Sequence, residues 1–260
     1  MVTKPGLSAV IITKNEEYKI VHCLESIRWV DEIIIIDDLS NDRTVEISKK
    51  YGAKVIINES KGNFDNQRNI GIQNATGEWI LQMDADEVVP EDTANKIREV
   101  IRNPRDFVAF KLLRKSYFIG YPLKYAGSYD YMLKLFKKGK AIYVGSSVHE
   151  TLKVDGPIGV IGAEVYHYPF NSIRQVIERC NFYTDVESED ELKNKEKIDS
   201  KEIKYHLIWK SLKLFWKLYI KKRGYKDGMY GLAWCILNVI GPQIRWLKVW
   251  EKAVQDGKLK

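Results

Sequence analysis

Trp79-Ile80-Leu81-Gln82-Met83-Asp84-Ala85-Asp86-Glu87 is a hydrophobic run that ends abruptly in acid. Thr76-Gly77 on one side and Pro90 on the other bound its apolar half, which reads as a buried strand. Side chains alternate along a strand with period 2, so Asp84 and Asp86 at its end can point the same way. Two hard oxygen ligands so placed suit Mg²⁺ or Mn²⁺, which binds one or two carboxylates together with substrate phosphates. Glu87 adds a third acid, and repulsion among three carboxylates is costly unless a cation offsets it. A D-x-D triplet alone is a weak signal, and its setting gives it weight.

Around this run, strands and helices alternate. Ser8-Ala9-Val10-Ile11-Ile12 reads as a strand and Glu16 to Ile27 as a helix. Ile33-Ile34-Ile35-Ile36 is apolar on both faces, as a central parallel strand should be. Asp42 to Tyr51 reads as a helix ending before Gly52, Val55-Ile56-Ile57 as a strand, Asp65 to Ala75 as a helix, and Glu91 to Arg102 as another just after Pro90. This alternation predicts right-handed crossovers and a mostly parallel sheet with flanking helices, an α/β fold. Ligands of such sheets bind beyond the carboxyl ends of the strands. Thr13-Lys14-Asn15-Glu16, Asp37-Asp38 and Asp84-Ala85-Asp86 all fall there.

From Phe107 the pattern turns to strands. Phe107 to Leu112, Tyr131 to Phe136 and Ile158 to Val165 are β-like, and Lys138-Gly139-Lys140 is a turn. Residues 171–190 read as a helix, and Glu187 to Glu202 as a solvated face or linker. The expected division is a nucleotide-binding half over 1–105, an acceptor-side half over 106–170, and a helical extension over 171–260.

The net charge of +7 over 260 residues hides an asymmetry. Residues 201–260 carry 14 Lys+Arg against 4 Asp+Glu, a net of +10, which leaves −3 for the rest. Basicity confined to the tail argues against a nucleic-acid-binding core. Tyr205 to Ile220 reads as helical, and Lys210, Lys213, Lys217 and the adjoining Lys221 are spaced as one helical stripe, leaving a wide apolar arc. Gly228 to Ile244 is uncharged but contains Asn238, Gly241, Pro242 and Gln243, a poor bilayer span. Trp209, Trp216, Trp234, Trp246 and Trp250 crowd the same region. Basic, apolar and tryptophan-rich helices of this kind lie on anionic membrane surfaces. A helical cap on the core and a dimer interface are the two other readings of the tail.

Cys23, Cys180 and Cys235 stand in no metal-ligand spacing and read as reduced buried thiols. The N-terminal residues show no secretory signal pattern, so the expectation is a cytoplasmic chain, peripheral on the inner membrane face if the tail binds lipid.

Four segments in order resemble family 2 glycosyltransferases of the GT-A (Rossmann-like) fold. They are Ala9 to Glu17, Ile35 to Thr44, Arg68-Asn69-Ile70-Gly71, and Gly77 to Glu87. Val148-His149-Glu150, Val165-Tyr166-His167-Tyr168 and Arg223 to Gly228 further resemble the bacterial subgroup with lipopolysaccharide core glucosyltransferases. The resemblance implies an inverting, metal-dependent transferase that takes a sugar from a nucleotide donor, UDP-linked, to a glycan or lipid-linked saccharide. A peptide acceptor, a nucleotidyltransferase and a non-catalytic glycan-binding protein are the alternatives. A nucleotidyltransferase usually carries a glycine-rich loop after its first strand, and Thr13-Lys14-Asn15-Glu16 has no glycine.

On that resemblance, Thr13, Asn15 and Glu16 meet the nucleoside. Asp37 or Asp38 accepts a hydrogen bond from a base N–H, where only an acceptor is useful. Arg68 counters the diphosphate. Asp86 is the direct metal ligand, and Asp84 lies nearer the ribose or the ion. His149 either completes the metal shell or orients Glu150. Glu150 is the candidate base for the acceptor hydroxyl, with Glu87 its rival and a purely structural His149-Glu150 pair the competing reading. His167 reads as a core histidine outside the site, and His22 and His206 suggest nothing. Leu39 and Arg43 depart from the small residues usual in their loop, and Lys134 and Lys137 stand where the subgroup often carries arginines.

Overall fold

The structure is a computed structural model describing residues 6–145, 151–193 and 195–260. It divides into two compact units, 1–115 with 130–167 and 116–129 with 168–260. Residues 116–129 group with the C-terminal helices.

The first unit opens with β1 (Leu7–Thr13), α1 (Ile20–Ser26), β2 (Glu32–Asp37), α2 (Thr44–Lys50), β3 (Lys54–Ile57), α3 (Phe64–Asn74) and β4 (Trp79–Asp84). β5 (Glu87–Val88) and α4 (Glu91–Arg102) follow, then β6 (Ala109–Phe118). β7 (Tyr121–Pro122) lies in the second unit, and β8 (Tyr129–Lys137), β9 (Ala141–Tyr143), β10 (Leu152–Val154) and β11 (Ile158–Phe170) come after it. The main sheet runs β3-β2-β1-β4-β8-β6-β11-β5, with β7 on β6, and β9 and β10 form an antiparallel pair. β1 pairs in parallel with β2 and β4, and β2 with β3, whereas β8 joins β4 antiparallel.

The expected strands and helices are present, several with shifted ends. Ile34 and Ile36 face one core cluster and Ile35 the other, so β2 is buried on both faces. The helix expected from Glu16 starts only at Ile20, because residues 14–17 are committed to the loop after β2. The Glu16 and Glu17 amides donate to Thr44 Oγ1 and Asp42 Oδ2. α3 lies tight on the sheet because residue 71 is glycine, where a Cβ would stand 2.3 Å from Val10 Cγ1. α4 keeps Ala94, Ile97 and Ile101 in the core, with Glu91 and Asp92 at its N-terminus and Arg102 at its C-terminus, as the helix dipole favours.

The second unit is helical. α5 (Ile173–Lys193) is followed by α6 (Ser200–Lys204), which continues through π-helical turns at Tyr205–Lys210 and Lys217–Lys221 around α7 (Ser211–Trp216). α8 (Gly228–Gln255) packs on α5 and carries Pro242 inside it. The start of the stretch read as a solvated face or linker is a seam with α8: Glu187 and Glu189 pair with Arg245 and Lys252 at 3.4 and 3.3 Å, and Asp185 just before it pairs with Lys248 at 2.7 Å. Trp246 is buried with Leu192, Ile203 and Val249 and stacks on His206, with ring centroids 3.8 Å apart. Among the described residues, no helix is long and apolar enough to cross a membrane.

Candidate active site at the carboxyl edge of the sheet

Register brings the polar clusters together. Thr13 is level with Asp37, and Ile12 with Asp84, so three strand ends form one rim. The loops above β1 and β2 are laced to each other. The Thr13 hydroxyl donates to Asp37 Oδ2 at 2.9 Å, and the Ser40 amide to Asp37 Oδ1 at 2.9 Å. The Ser40 hydroxyl also donates to Asp37 Oδ2. Asn15 is left-handed (φ 54°), its amide donating to Ser40 Oγ while its Oδ1 accepts from the Asn41 amide. Leu39 is left-handed as well (φ 54°), which costs a non-glycine residue about 1–2 kcal/mol. The departure noted at Leu39 therefore strains the turn without removing it.

Asp38 accepts from the Ser60 amide at 2.7 Å, the Ser60 hydroxyl at 2.9 Å and Lys14 Nζ at 2.9 Å. Burial pushes its carboxyl up, but these hydrogen bonds outweigh burial and hold it below the ordinary aspartate value. A carboxylate offers about four acceptor positions, so each of these two aspartates keeps about one. Asp37 is fully buried, whereas Asp38 retains some exposure.

At the end of β4 the acids meet cations. Arg68 Nη2 donates to Asp84 Oδ1 at 2.9 Å, and its guanidinium lies 5.6 Å from the centre of the Tyr143 ring. Asn69, next along α3, grips the Tyr143 backbone through Nδ2–H to the carbonyl (2.8 Å) and Oδ1 from the amide (3.0 Å). Lys134 Nζ, on β8, stands 2.7 Å from Glu87 Oε2 and 3.3 Å from Asp84 Oδ2. The Asp84 amide donates to Glu87 Oε2. Burial raises the Asp84 carboxyl, but Lys134 and Arg68 more than reverse this and hold it well below the usual range. Burial disfavours the Lys134 ammonium, and Asp84 and Glu87 overcome that to raise its pKa. Glu87 is pushed up by burial, against the pull of Lys134. Cys23 Sγ–H reaches the Asp84 carbonyl at 3.5 Å, and burial followed by the Glu87, Asp86 and Asp84 charges makes it an unreactive thiol.

Asp86 Oδ1 faces His167 Nε2 at 3.5 Å. His167, read from sequence as a core histidine, thus lies beside one of the candidate acids. β11 pairs with β5 in a register that sets His167 opposite Glu87. Strand alternation was the available signal, since His167 is in phase with buried Val165. Lys134 is the other residue under-read from sequence, and a lone cation between Leu133 and Leu135 in a strand calls for a buried acidic partner. His149 and Glu150 lie outside the described residues.

The donors fit a divalent cation in part. Asp86 and His167 offer one carboxylate and one imidazole at a separation two ligands of one ion can take, whereas both Asp84 oxygens face cationic groups. Among the described residues, no group of three or more His, Cys, Asp or Glu is set for a metal. A Mg²⁺- or Mn²⁺-type site completes its shell with substrate phosphates, so a protein pair suffices.

Residues 8–143, just over half the chain, match the family described as Glycosyl transferase family 2. The chain belongs to this family. It is a glycosyltransferase, and the nucleotidyltransferase alternative falls away. An uncharacterized glycosyltransferase of Rickettsia conorii is 28% identical, over 96% of this chain and 92% of that protein. The lipopolysaccharide core biosynthesis glycosyltransferase LpsC of Rhizobium meliloti is 23% identical, over 97% and 94%. Among solved structures, S. aureus TarS residues 1–349 in complex with UDP matches with a TM-score of 0.50 and 15% identity, covering 97% of this chain and 92% of that one. That likeness supports the GT-A fold.

Proposed function

We propose that this glycosyltransferase moves a sugar, with inversion, from a UDP-linked donor to a glycan or lipid-linked saccharide of the cell envelope. The observation that carries the reading is the convergence of Asp38, Arg68, Asp84, Lys134, Asp86 and His167 on one sheet edge. An acceptor with reach to a base, cations for a diphosphate and a carboxylate–imidazole pair for an ion are the three functions a nucleotide-sugar donor needs. UDP is the first nucleotide to test because the TarS structure of the same fold is a UDP complex. The name of LpsC supports an envelope acceptor.

In this reading Asp38, rather than fully buried Asp37, accepts the base N–H. Thr13, Asn15 and Glu16 shape the nucleoside end through the loop contacts above. Arg68 swings between Asp84 and the diphosphate, and Lys134 keeps Asp84 ionised. Asp86 and His167 hold a divalent ion, Mg²⁺ or Mn²⁺, with His149 a further candidate ligand. The ion supplies Lewis-acid stabilisation of the departing diphosphate. Glu150 takes the acceptor proton. Glu87, locked on Lys134, is left with a structural role. Donor binding by the full chain with Mn²⁺, and its loss in chelator, tests the reading.

The second unit is assigned to an anionic membrane surface on the cytoplasmic side. Lys210, Lys213, Lys217, Lys221, Lys222, Arg223 and Lys226 are all exposed, with no acid between Tyr205 and Lys226. None of them pairs with an acid among the described residues, unlike Arg245, Lys248 and Lys252. Beside them Ile208, Leu212, Trp216 and Ile220, four residues apart, are each about half exposed. Across an apolar groove, Ile236 and Ile240 of α8 continue the patch. Each basic residue near an anionic surface adds about 1 kcal/mol.

A further inference from the structure

Asp65, in the first turn of α3, is 1% exposed, and neither of its carboxylate oxygens has a hydrogen-bond partner among the described residues. This differs from every other acid of the rim. Asp37, Asp38 and Asp84 are each held by two or more donors, and Glu87 by a lysine. An ionisable group buried without a partner is destabilising and persists in a fold where it serves a ligand. The helix N-terminus favours negative charge there but supplies no hydrogen bond to it.

Its position points to the ligand. α3 follows β3 and leads back to β4, so its first turn stands at the carboxyl edge of the sheet with Thr13, Asp37 and Asp84. Residues three and four apart share a helix face, which sets Asp65 one turn above Arg68 and Asn69. Those two reach Asp84 and the Tyr143 backbone. Asn63 caps the helix by accepting from the Asn66 amide, so Asp65 is not needed as the cap. A carboxylate repels phosphate and accepts from hydroxyls, and a pair of vicinal hydroxyls matches its two oxygens.

We propose that the Asp65 carboxylate binds vicinal hydroxyls of the nucleotide-sugar donor, a role distinct from those of the D-x-D acids and Arg68. The assignment rests on the donor reading above. Ribose and the transferred sugar both carry such hydroxyls, and the probes separate them.

The test compares the full-length wild type with Asp65→Asn and Asp65→Ala in thermal unfolding without ligand and in titrations with UDP, 2′-deoxy-UDP and UDP-glucose in Mn²⁺. Loss of a charged hydrogen-bonding partner should weaken UDP-glucose binding by about tenfold or more in both variants. The apoprotein of Asp65→Asn should melt at the wild-type temperature or about 2 °C higher, since an uncompensated buried charge is gone. If ribose is the ligand, UDP loses affinity in Asp65→Asn, and 2′-deoxy-UDP loses less, since one of the two hydroxyls is already gone. If the sugar is the ligand, UDP is unaffected and only UDP-glucose loses affinity. Unchanged affinity for all three probes, or a marked fall in the melting temperature of Asp65→Asn, overturns the assignment in favour of an internal structural role. Failure of wild type itself to bind any nucleotide strikes at the donor reading and removes this inference with it.

Discussion

Lys134 Nζ sits 2.7 Å from Glu87 Oε2, with side chains 5% and 0% exposed. A pair this buried has exchanged two hydration shells for one contact, so removing one member strands the other. Lys134→Met should destabilise the protein by about 3–5 kcal/mol, read by chemical denaturation. Adding Glu87→Gln to that variant should recover part of the loss, because the stranded charge goes with it. Equal instability of the single and double variants would remove the pair from the account. Lys134→Arg should be tolerated better than Met, since it keeps the cation.

Asp86 and His167 are the proposed metal pair, and a change at either should act on donor binding more than on folding. Asp86→Ala and His167→Ala should each abolish the Mn²⁺-dependent part of UDP affinity, measured by calorimetry with and without chelator. Full affinity in both would take the ion away from them.

Glu150→Gln should retain UDP binding while transfer falls by about 10²–10⁴-fold, the range for loss of a general base. Wild-type turnover would hand the role to another acid.

Asp38 gives a pH signature. Its folded pKa is depressed below the ordinary value of 3.8, despite burial, by Ser60 and Lys14. The unfolded state therefore binds the proton more readily, so the stabilisation is present above about pH 4 and drains as pH falls through the folded value. Asp38→Asn should cost about 1–2 kcal/mol at pH 7, and the gap to wild type should close below pH 3. A gap that stays constant with pH would mean that the charge contributes nothing.

The tail makes a separate prediction. Reversing Lys213, Lys217 and Lys221 to Glu, or replacing Leu212 and Trp216 with Ser, should cut binding to vesicles with phosphatidylserine at least tenfold, with folding intact by circular dichroism. Undiminished binding would contradict the membrane assignment. Association of two chains in solution, lost in the Ser variants, would identify the face as a dimer interface instead.

The parallel core was legible because strand and helix signals there are strong and local: Ile33–Ile36 read as a strand buried on both faces, and Asp65 to Ala75 as a helix, although the close approach at Gly71 shows only in the structure. What was not legible depends on register between distant strands. Lys134 and His167 reach Glu87 and Asp86 from β8 and β11, about 50 and 80 residues beyond Asp84, and no sequence window contains both partners. The tail shows the converse limit. Composition placed five tryptophans in one basic region, yet packing divides them: Trp246 is core, while Trp209, Trp216 and Trp250 stay exposed.

A thermal-shift comparison of UDP, GDP, CDP and ADP, each with Mn²⁺ or EDTA, on wild type and Asp86→Ala tests the central claim most directly. The account predicts stabilisation of the wild type by UDP in Mn²⁺, its loss in EDTA, and none in Asp86→Ala. Silence of the wild type toward every nucleotide, or UDP stabilisation that ignores both EDTA and the substitution, would contradict it.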